Sequence, residues 1–180
     1  MHFNQNDLGD EKELSQIEIQ DLKQVINMCD GIILQGGVCS CSYEVECVKI
    51  AMNLDKPVIG ICAGFNNILR ALGSEVIVDE TNSHYHLDVN YRHEININKN
   101  SILYKIIENE KIEVNSIHSM VVAEETVNNV GITSAKSKDN YVECFEIPDK
   151  KMVMGIKWHP ELMLEDKETD KIISYFIKCC

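Results

Sequence analysis

PVIGICAGFN, residues 57–66, places a cysteine between two glycines directly after an apolar run. The run Val58–Ile61 is short and β-branched, which favours a buried strand. A helical pattern follows from Gly64, so Cys62 lies at the sharp turn between strand and helix. Such an elbow lifts a thiol clear of the sheet and leaves backbone N–H groups beside it. Cysteine is also among the most buried residue types, so the stretch alone leaves a structural role for Cys62 open.

The same alternation of strand and helix occurs on both sides of this turn. Helices are predicted over 14–28, 43–54 and 64–72, and a buried strand over 31–34 that ends at Gly36 and Gly37. Short connections between such elements favour parallel strands joined by right-handed crossovers. Because ligands bind at the carboxyl ends of parallel strands, we expect Gly36, Gly37 and Cys62 to face one pocket.

The second half of the chain is richer in strands. Alternating apolar residues predict strands over 94–97, 112–115, 120–123, 130–133, 142–146 and 153–157, a short helix over 102–107 and a final amphipathic helix over 170–178. The sequence therefore predicts an α/β fold with a mostly parallel sheet flanked by helices. Residues 31–180 would form this domain, and residues 1–30 a polar, helical N-terminal extension.

Composition and charge restrict the class of protein. The chain has 180 residues, 44% hydrophobic and 26% charged, as expected for one soluble globular domain. Its net charge of −12 argues against a nucleic-acid surface, which needs clustered positive charge. No apolar run reaches the roughly 20 residues that span a bilayer, and the N-terminus lacks a secretory signal. We therefore expect a cytoplasmic protein with no membrane or nucleic-acid partner.

The eight cysteines are expected to be reduced thiols in that compartment. Neither Cys39 with Cys41 nor Cys179 with Cys180 has the paired spacing of a zinc site. The other cysteines outside the elbow fall on apolar faces and are assigned to the core: Cys29, Cys47 and Cys144.

A histidine-rich segment, SHYHLDVNYRH, contains His84, His86 and His93. No neighbouring acid or cysteine completes a metal-ligand spacing, so a polar loop is the favoured interpretation. We expect neither a metal nor an organic cofactor.

A second motif supplies what a reactive cysteine needs. A thiol acts as a nucleophile only as thiolate, which a histidine oriented by a carboxylate can provide. Trp-His-Pro-Glu ends the strand at 153–157, and Glu161 stands two residues after His159, close enough to hydrogen-bond its ring. The N–H of Ala63, with that of Gly36 or Gly37, would stabilise an oxyanion. Glu161 could also be a solvated acid at a helix start, and the glycine pair a simple turn.

Four segments together resemble the class I glutamine amidotransferases, which have a flavodoxin-like fold. They are DGIILQGG, PVIGICAGFN, VNSIHSMVV and GIKWHPE. The resemblance covers about residues 30–165 and is closest to the γ-glutamyl-γ-aminobutyrate hydrolases and γ-glutamyl hydrolases of peptidase family C26. It implies a Cys62–His159–Glu161 triad that hydrolyses γ-glutamyl amides through a γ-glutamyl thioester on Cys62, with an oxyanion hole at Gly36, Gly37 and Ala63.

The resemblance also implies the substrate-binding residues. The segment N-S-x-H-S borders the pocket in similar enzymes, which assigns Ser119 and Met120 to the glutamyl group. Asn66 stands where the family usually has glutamine. His118 is left open between pocket wall and structural hydrogen bonding.

Departures from the family pattern keep other functions open. Ala63 replaces the usual arginine or leucine, the loop after Gly37 is short, and only 30 residues precede the domain, which indicates an N-terminally shortened fold. One alternative is a catalytically degenerate binding module. Another is a glutaminase subunit that supplies ammonia to a synthetase partner, because HSMVV resembles the anthranilate-synthase type. A shortened sheet edge would favour a homodimer.

Overall fold

A computed structural model describes residues 13–37, 42–74, 76–78 and 81–180. The helices are α1 (Gln16–Asn27), α2 (Ser42–Asn53), α3 (Ala63–Ala71), α4 (Ile102–Ile107), α5 (Glu124–Asn128) and α6 (Lys167–Cys179). The strands are β1 (Ile32–Leu34), β2 (Val58–Ile61), β3 (Ile77–Val78), β4 (His93–Ile97), β5 (Lys111–Val114), β6 (Met120–Val121), β7 (Ile132–Ser137), β8 (Val142–Glu146) and β9 (Val153–Ile156). None of the helices in these described ranges is long and apolar enough to cross a membrane.

One seven-stranded sheet organises the molecule, in the order β1-β2-β9-β8-β7-β4-β5. β1, β2 and β9 are parallel, whereas the pairs from β9 to β5 are antiparallel. The predicted α/β fold is confirmed, and parallel pairing holds for the half that carries the elbow. The connections β7–β8 and β8–β9 are too short for a crossover, so those strands pair antiparallel and the sheet is mixed.

The central strands are buried because apolar clusters cover both faces of the sheet. All four residues of β2 and of β9 are buried. Alternate side chains of β2 point to opposite faces, so Val58 packs in one cluster with Phe65 while Ile59 packs in the other with Phe176. Helix α3 lies on the first face and α6 on the second.

Helix α1 begins at a capping box. The Ser15 Oγ accepts from the Glu18 N–H at 3.3 Å, and the Glu18 carboxylate accepts from the Ser15 N–H at 2.7 Å. Leu22 and Ile26 of this helix are buried in the same cluster as Val48 of α2. Residues 1–12 of the predicted N-terminal extension lie outside the described residues.

Several element boundaries differ from the sequence predictions. The strand predicted over 130–133 runs instead from Ile132 to Ser137, and the final helix begins at Lys167, one residue after its N-cap Asp166. The elements β3 and α5 were not predicted. A two-residue strand and a five-residue helix are too short for their periodicity to stand out.

Candidate active site

Cys62 adopts a strained backbone conformation at the end of β2. Its φ of 49° and ψ of −95° are rare for a residue with a side chain. The Cys62 N–H donates to the Ile156 carbonyl of β9 at 2.8 Å, and the Cys62 carbonyl accepts from the Asn66 N–H of α3 at 3.3 Å. The elbow is therefore held by the neighbouring strand on one side and by its own helix on the other.

The two glycines of the elbow let α3 approach the sheet closely. A Cβ on Gly60 would lie 2.5 Å from the Gly64 carbonyl oxygen, and a Cβ on Gly64 would lie 2.6 Å from the Leu34 carbonyl oxygen. Neither contact leaves room for a side chain. The spacing G-x-C-x-G is thus explained by backbone packing around Cys62.

His159 reaches Cys62 because β9 pairs with β2, and both residues follow their strands at the same edge of the sheet. The Nδ1 of His159 lies 2.7 Å from Oε1 of Glu161. Glu161 leaves Nε2 as the nitrogen that can serve Cys62, whose thiol lies close enough to the ring to help raise the pKa of His159. The three residues proposed from the sequence are therefore adjacent and in the predicted order.

The sequence did not indicate what holds His159 in place. The side chain of Asn115, fully buried, accepts from the His159 N–H at 2.8 Å and donates to the His159 carbonyl at 2.8 Å. Both backbone groups of His159 are thus fixed by one amide. The motif N-S-x-H contained this asparagine, but nothing in the sequence placed it opposite His159.

The electrostatic surroundings favour a protonated His159. Burial of the ring opposes its charge, but hydrogen bonds to Cys62 and Glu161 outweigh burial and raise the pKa of His159 to about 10. At neutral pH the ring is therefore an imidazolium beside the sulfur. A protonated imidazole in that position can donate a proton to a leaving group.

The residues predicted to form the oxyanion hole lie beside Cys62. A Cβ on Gly36 would be 2.5 Å from Cε1 of His159 and 3.5 Å from the Cys62 Cβ, so the Gly36 backbone borders both side chains. Ala63 is the first residue of α3, where an N–H has no partner within the helix. Gly37 lies near the Ala63 side chain on the pocket side.

A pocket opens beside Cys62, and every substrate-binding residue predicted from the sequence lines it. Its described lining consists of Gly37, Cys62, Ala63, Asn66, Arg70, Tyr85, Ile117, His118, Ser119 and Met120. Arg70 is the cation in this described lining, and the sequence analysis did not select it. Its guanidinium also contacts Asn67 Oδ1 at 3.2 Å.

A buried lysine below the pocket was also missed. Lys157 is fully buried, and its Nζ donates to Asn66 Oδ1 at 2.6 Å and lies 4.6 Å from the centre of the Phe65 ring. Burial is the main cause that lowers the pKa of Lys157 to about 8, although the nearby Cys62 and Glu143 oppose it. Because Lys157 donates to the Asn66 oxygen, the Asn66 side chain turns its amide nitrogen toward the pocket. That nitrogen contacts Met120 Sδ.

The histidine-rich segment is not simply a polar loop. His84 is buried, and His93 is a partly buried residue of β4. His86 alone fits the prediction, because it lies on the loop, stacks on Tyr91 and contacts the Ser83 carbonyl. The acid that faces His84 and His93 is Glu143, which comes from β8.

Most of the predicted core cysteines are confirmed. Cys47 and Cys144 are buried, but Cys29 is only half-buried because it follows the end of α1. Cys39 and Cys41 lie outside the described residues.

Comparisons with known proteins identify the family of the chain. The family described as Peptidase C26 matches residues 41–161. The Lactococcus lactis protein YvdE, named as glutamine amidotransferase-like, is 27% identical over 86% of this chain and 75% of that protein. One chain of the glutamine-hydrolysing GMP synthase of Methanococcus vannielii is 31% identical over 83% of this chain and 73% of its own length.

A solved structure supports the fold. The glutaminase domain of Trypanosoma brucei CTPS, with bound acivicin, superposes with a TM-score of 0.71 at 18% identity, covering 89% of this chain and 74% of that one. The family match spans most of the chain and includes both the elbow and the Trp-His-Pro-Glu motif. The chain therefore belongs to the peptidase C26 family, and its domain is of the class I glutamine amidotransferase type.

Proposed function

We propose that this protein is a cysteine-dependent hydrolase of γ-glutamyl amides, with Cys62, His159 and Glu161 as its catalytic residues. The observation that carries the proposal is the contact chain from the Cys62 sulfur to the His159 ring and on to Glu161 at 2.7 Å. A nucleophile, a proton carrier and an orienting carboxylate stand in sequence beside one pocket, as acyl transfer requires.

In the first step, the Cys62 thiolate attacks the γ-carbonyl carbon of the substrate and forms a tetrahedral oxyanion. The N–H groups of Ala63 and of Gly36 or Gly37 stabilise that oxygen. His159 then donates its proton to the amide nitrogen, the C–N bond breaks and the amine leaves. A γ-glutamyl thioester remains on Cys62.

In the second step, water hydrolyses the thioester. His159, now neutral, accepts a proton from the water as the oxygen attacks the same carbon. The C–S bond breaks, glutamate leaves, and the thiolate–imidazolium pair is restored. Glu161 keeps Nδ1 of His159 protonated throughout, so that Nε2 carries the transferred proton.

Pocket chemistry suits a γ-glutamyl group. The group carries a carboxylate at its α-carbon, and Arg70 supplies a guanidinium at the pocket wall with donors beyond its bond to Asn67. Ser119 and Met120 lie across from Cys62 in the same lining and would contact the glutamyl chain. Asn66 and His118 complete the proposed binding residues.

A second candidate function is a glutaminase subunit that delivers ammonia to a synthetase. The relative from Methanococcus vannielii, which belongs to a glutamine-hydrolysing GMP synthase, favours it. The two functions share the thioester chemistry and differ in substrate and partner. A synthetase subunit would prefer glutamine and gain activity in a complex, whereas a free-standing hydrolase would cleave γ-glutamyl dipeptides alone.

Turnover by the isolated chain tests the proposal. We expect glutamate release from γ-glutamyl-γ-aminobutyrate or γ-glutamyl dipeptides, abolished in Cys62→Ser and retained in the matched control Cys29→Ser. Activity with glutamine alone would favour the synthetase subunit. A folded wild-type chain without turnover of any γ-glutamyl compound, glutamine included, would contradict the hydrolase.

A further inference from the structure

Behind the pocket wall, three histidines surround one buried carboxylate. We call these four residues the buried histidine cluster: His84, His93, His118 and Glu143. We propose that His84, His93 and Glu143 bind a divalent metal ion of the zinc class, with His118 beside the ion. The site is distinct from the proposed catalytic residues and plays no part in the thioester chemistry.

The spacing of the ligand atoms fits an ion. The Glu143 Oε1 lies 3.4 Å from His84 Nδ1, 3.9 Å from His93 Nε2 and 3.6 Å from His118 Nε2. The ligand atoms of His84, His93 and Glu143 all fall within 4.8 Å of one another. A tetrahedral zinc with ligands at about 2.0–2.1 Å holds neighbouring ligand atoms about 3.3 Å apart. The spacing in the cluster is therefore close to that of a zinc site.

The same distances are too long for a satisfied hydrogen-bond network. Both Glu143 oxygens and the His93 Nε2 are buried, and none of them has a hydrogen-bond partner among the described residues. The three rings lie 3.4–3.9 Å from Glu143 Oε1, farther than hydrogen bonds of ordinary length, and a buried carboxylate is costly unless a cation or metal compensates it. The Glu143 and His93 atoms face one another, so a single ion would satisfy them together.

The outer contacts of the histidines prepare their inner nitrogens as ligands. His84 Nε2 lies 2.9 Å from Asp139 Oδ2, and its Nδ1 lies 3.4 Å from both Glu143 Oε1 and Ser116 Oγ. His118 Nδ1 lies 3.1 Å from the Met120 carbonyl and donates to it, while Nε2 lies 3.6 Å from Glu143 Oε1 and 3.5 Å from Ser116 Oγ. A carboxylate behind a ligating imidazole, as Asp139 lies behind His84, is typical of metal sites.

The ligands come from separate segments that meet at the pocket. His84 lies on the loop before β4, His93 in β4 and Glu143 in β8. The loop is tied to the pocket wall because the His118 N–H donates to the His84 carbonyl at 3.0 Å. The His93 side chain is 16% exposed and gives the ion a route from solvent. A bound ion would therefore join these segments behind the wall that holds His118 and Ser119.

Cobalt titration of the chelator-treated full chain tests this proposal. We expect one equivalent of Co²⁺ to bind, with the intense visible bands of a tetrahedral ion and without sulfur-to-cobalt charge-transfer bands. Zn²⁺ should displace it and raise the melting temperature. In Glu143→Gln the affinity should fall by more than about 100-fold, and in Asp139→Asn by about 10- to 100-fold.

His86→Ala is the matched control, because His86 lies in the same segment but contacts Tyr91 instead of the cluster. It should bind cobalt like the wild type. The proposal is wrong if the wild type binds no stoichiometric cobalt, if binding survives Glu143→Gln, or if the spectrum shows thiolate ligands. If Glu143→Gln does not fold, the cobalt spectrum of the wild type and the cobalt affinity of Asp139→Asn test the proposal instead.

Discussion

Two histidine–carboxylate arrangements flank one pocket, and they differ in distance and in burial. Beside Cys62, Glu161 is 45% exposed and lies 2.7 Å from the His159 ring. Behind the wall, Glu143 is fully buried and lies between 3.4 and 3.9 Å from the rings of the buried histidine cluster. The first pair is closed by a hydrogen bond, whereas the second group is spaced more widely than hydrogen bonds require.

The difference shows how the same residue types serve different chemistry. The His159 ring is bonded to the Glu161 carboxylate through one nitrogen, so its other nitrogen is held in a fixed direction. Such a ring suits general acid–base catalysis. In the buried histidine cluster, nitrogens of three rings converge on one carboxylate and Asp139 lies behind one of those rings, which suits a metal ion. The direction of each ring, and not the composition of the group, therefore separates the two sites.

Loss of the proton carrier should have the largest effect on this comparison. In His159→Asn, γ-glutamyl turnover should fall by about 10³-fold, because general acid–base catalysis contributes about 10²–10⁴-fold. Steady-state kinetics with a γ-glutamyl dipeptide measures it. Cobalt binding should be unchanged in this variant, and a variant that kept most of its turnover would break the assignment of His159.

Loss of the clamp on His159 should have an intermediate effect. Asn115→Ala removes both bonds to the His159 backbone, so kcat should fall by about 10- to 100-fold, with little change in KM if binding and positioning are separate. Asn98→Ala is the control, because Asn98 also bonds a backbone carbonyl, that of Thr133, away from the pocket. If kcat fell equally in both variants, the role of Asn115 would be structural and not the positioning of His159.

The His159–Glu161 contact should also appear in the pH dependence of stability. The pKa of His159 is raised from about 6.5 to about 10, so its protonation stabilises the folded state fully below pH 6.5 and less as the pH rises toward 10. The difference in unfolding free energy between wild type and Glu161→Gln should therefore shrink over that window. Urea titrations at several pH values measure it, and Glu165→Gln should show no such trend.

Lys157 lies near both regions and should give the smallest signal. Its pKa is lowered to about 8 from 10.5, so the buried charge destabilises the fold below pH 8 and the penalty disappears as the pH rises to 10.5. Wild type should therefore gain stability relative to Lys157→Met across that window. Lys151→Met, at an exposed position, is the control. If the unfolding free energies of wild type, Lys157→Met and Lys151→Met changed with pH in parallel, Lys157 would not be a charged, buried residue.

The proposed catalytic residues could be predicted because their information is local. Cys62 stands between its glycines, and His159 and Glu161 stand two residues apart at the end of a predicted strand. The adjacency of β2 and β9 then brings both groups to the same edge. Short-range sequence patterns therefore identify the residues of such a site before the strand order is known.

The buried histidine cluster could not be predicted in that way. Its ligands meet because β4, β7, β8 and β9 pair antiparallel, and a sequence does not reveal that order. One signal was present: Glu143 is an acid inside a predicted strand, which the structure shows to be buried, and buried carboxylates are paired or bind metals. The roles of Asn115 and Lys157 could not be predicted for the same reason, because their partners are distant in the sequence.

Mass spectrometry of the intact protein after incubation with 6-diazo-5-oxo-norleucine tests the γ-glutamyl chemistry most directly. We expect one adduct per chain, mapped to Cys62 by peptide analysis, present in Cys29→Ser and absent in Cys62→Ser. A folded wild-type chain that forms no adduct, or an adduct that survives Cys62→Ser, would contradict a γ-glutamyl thioester at this elbow.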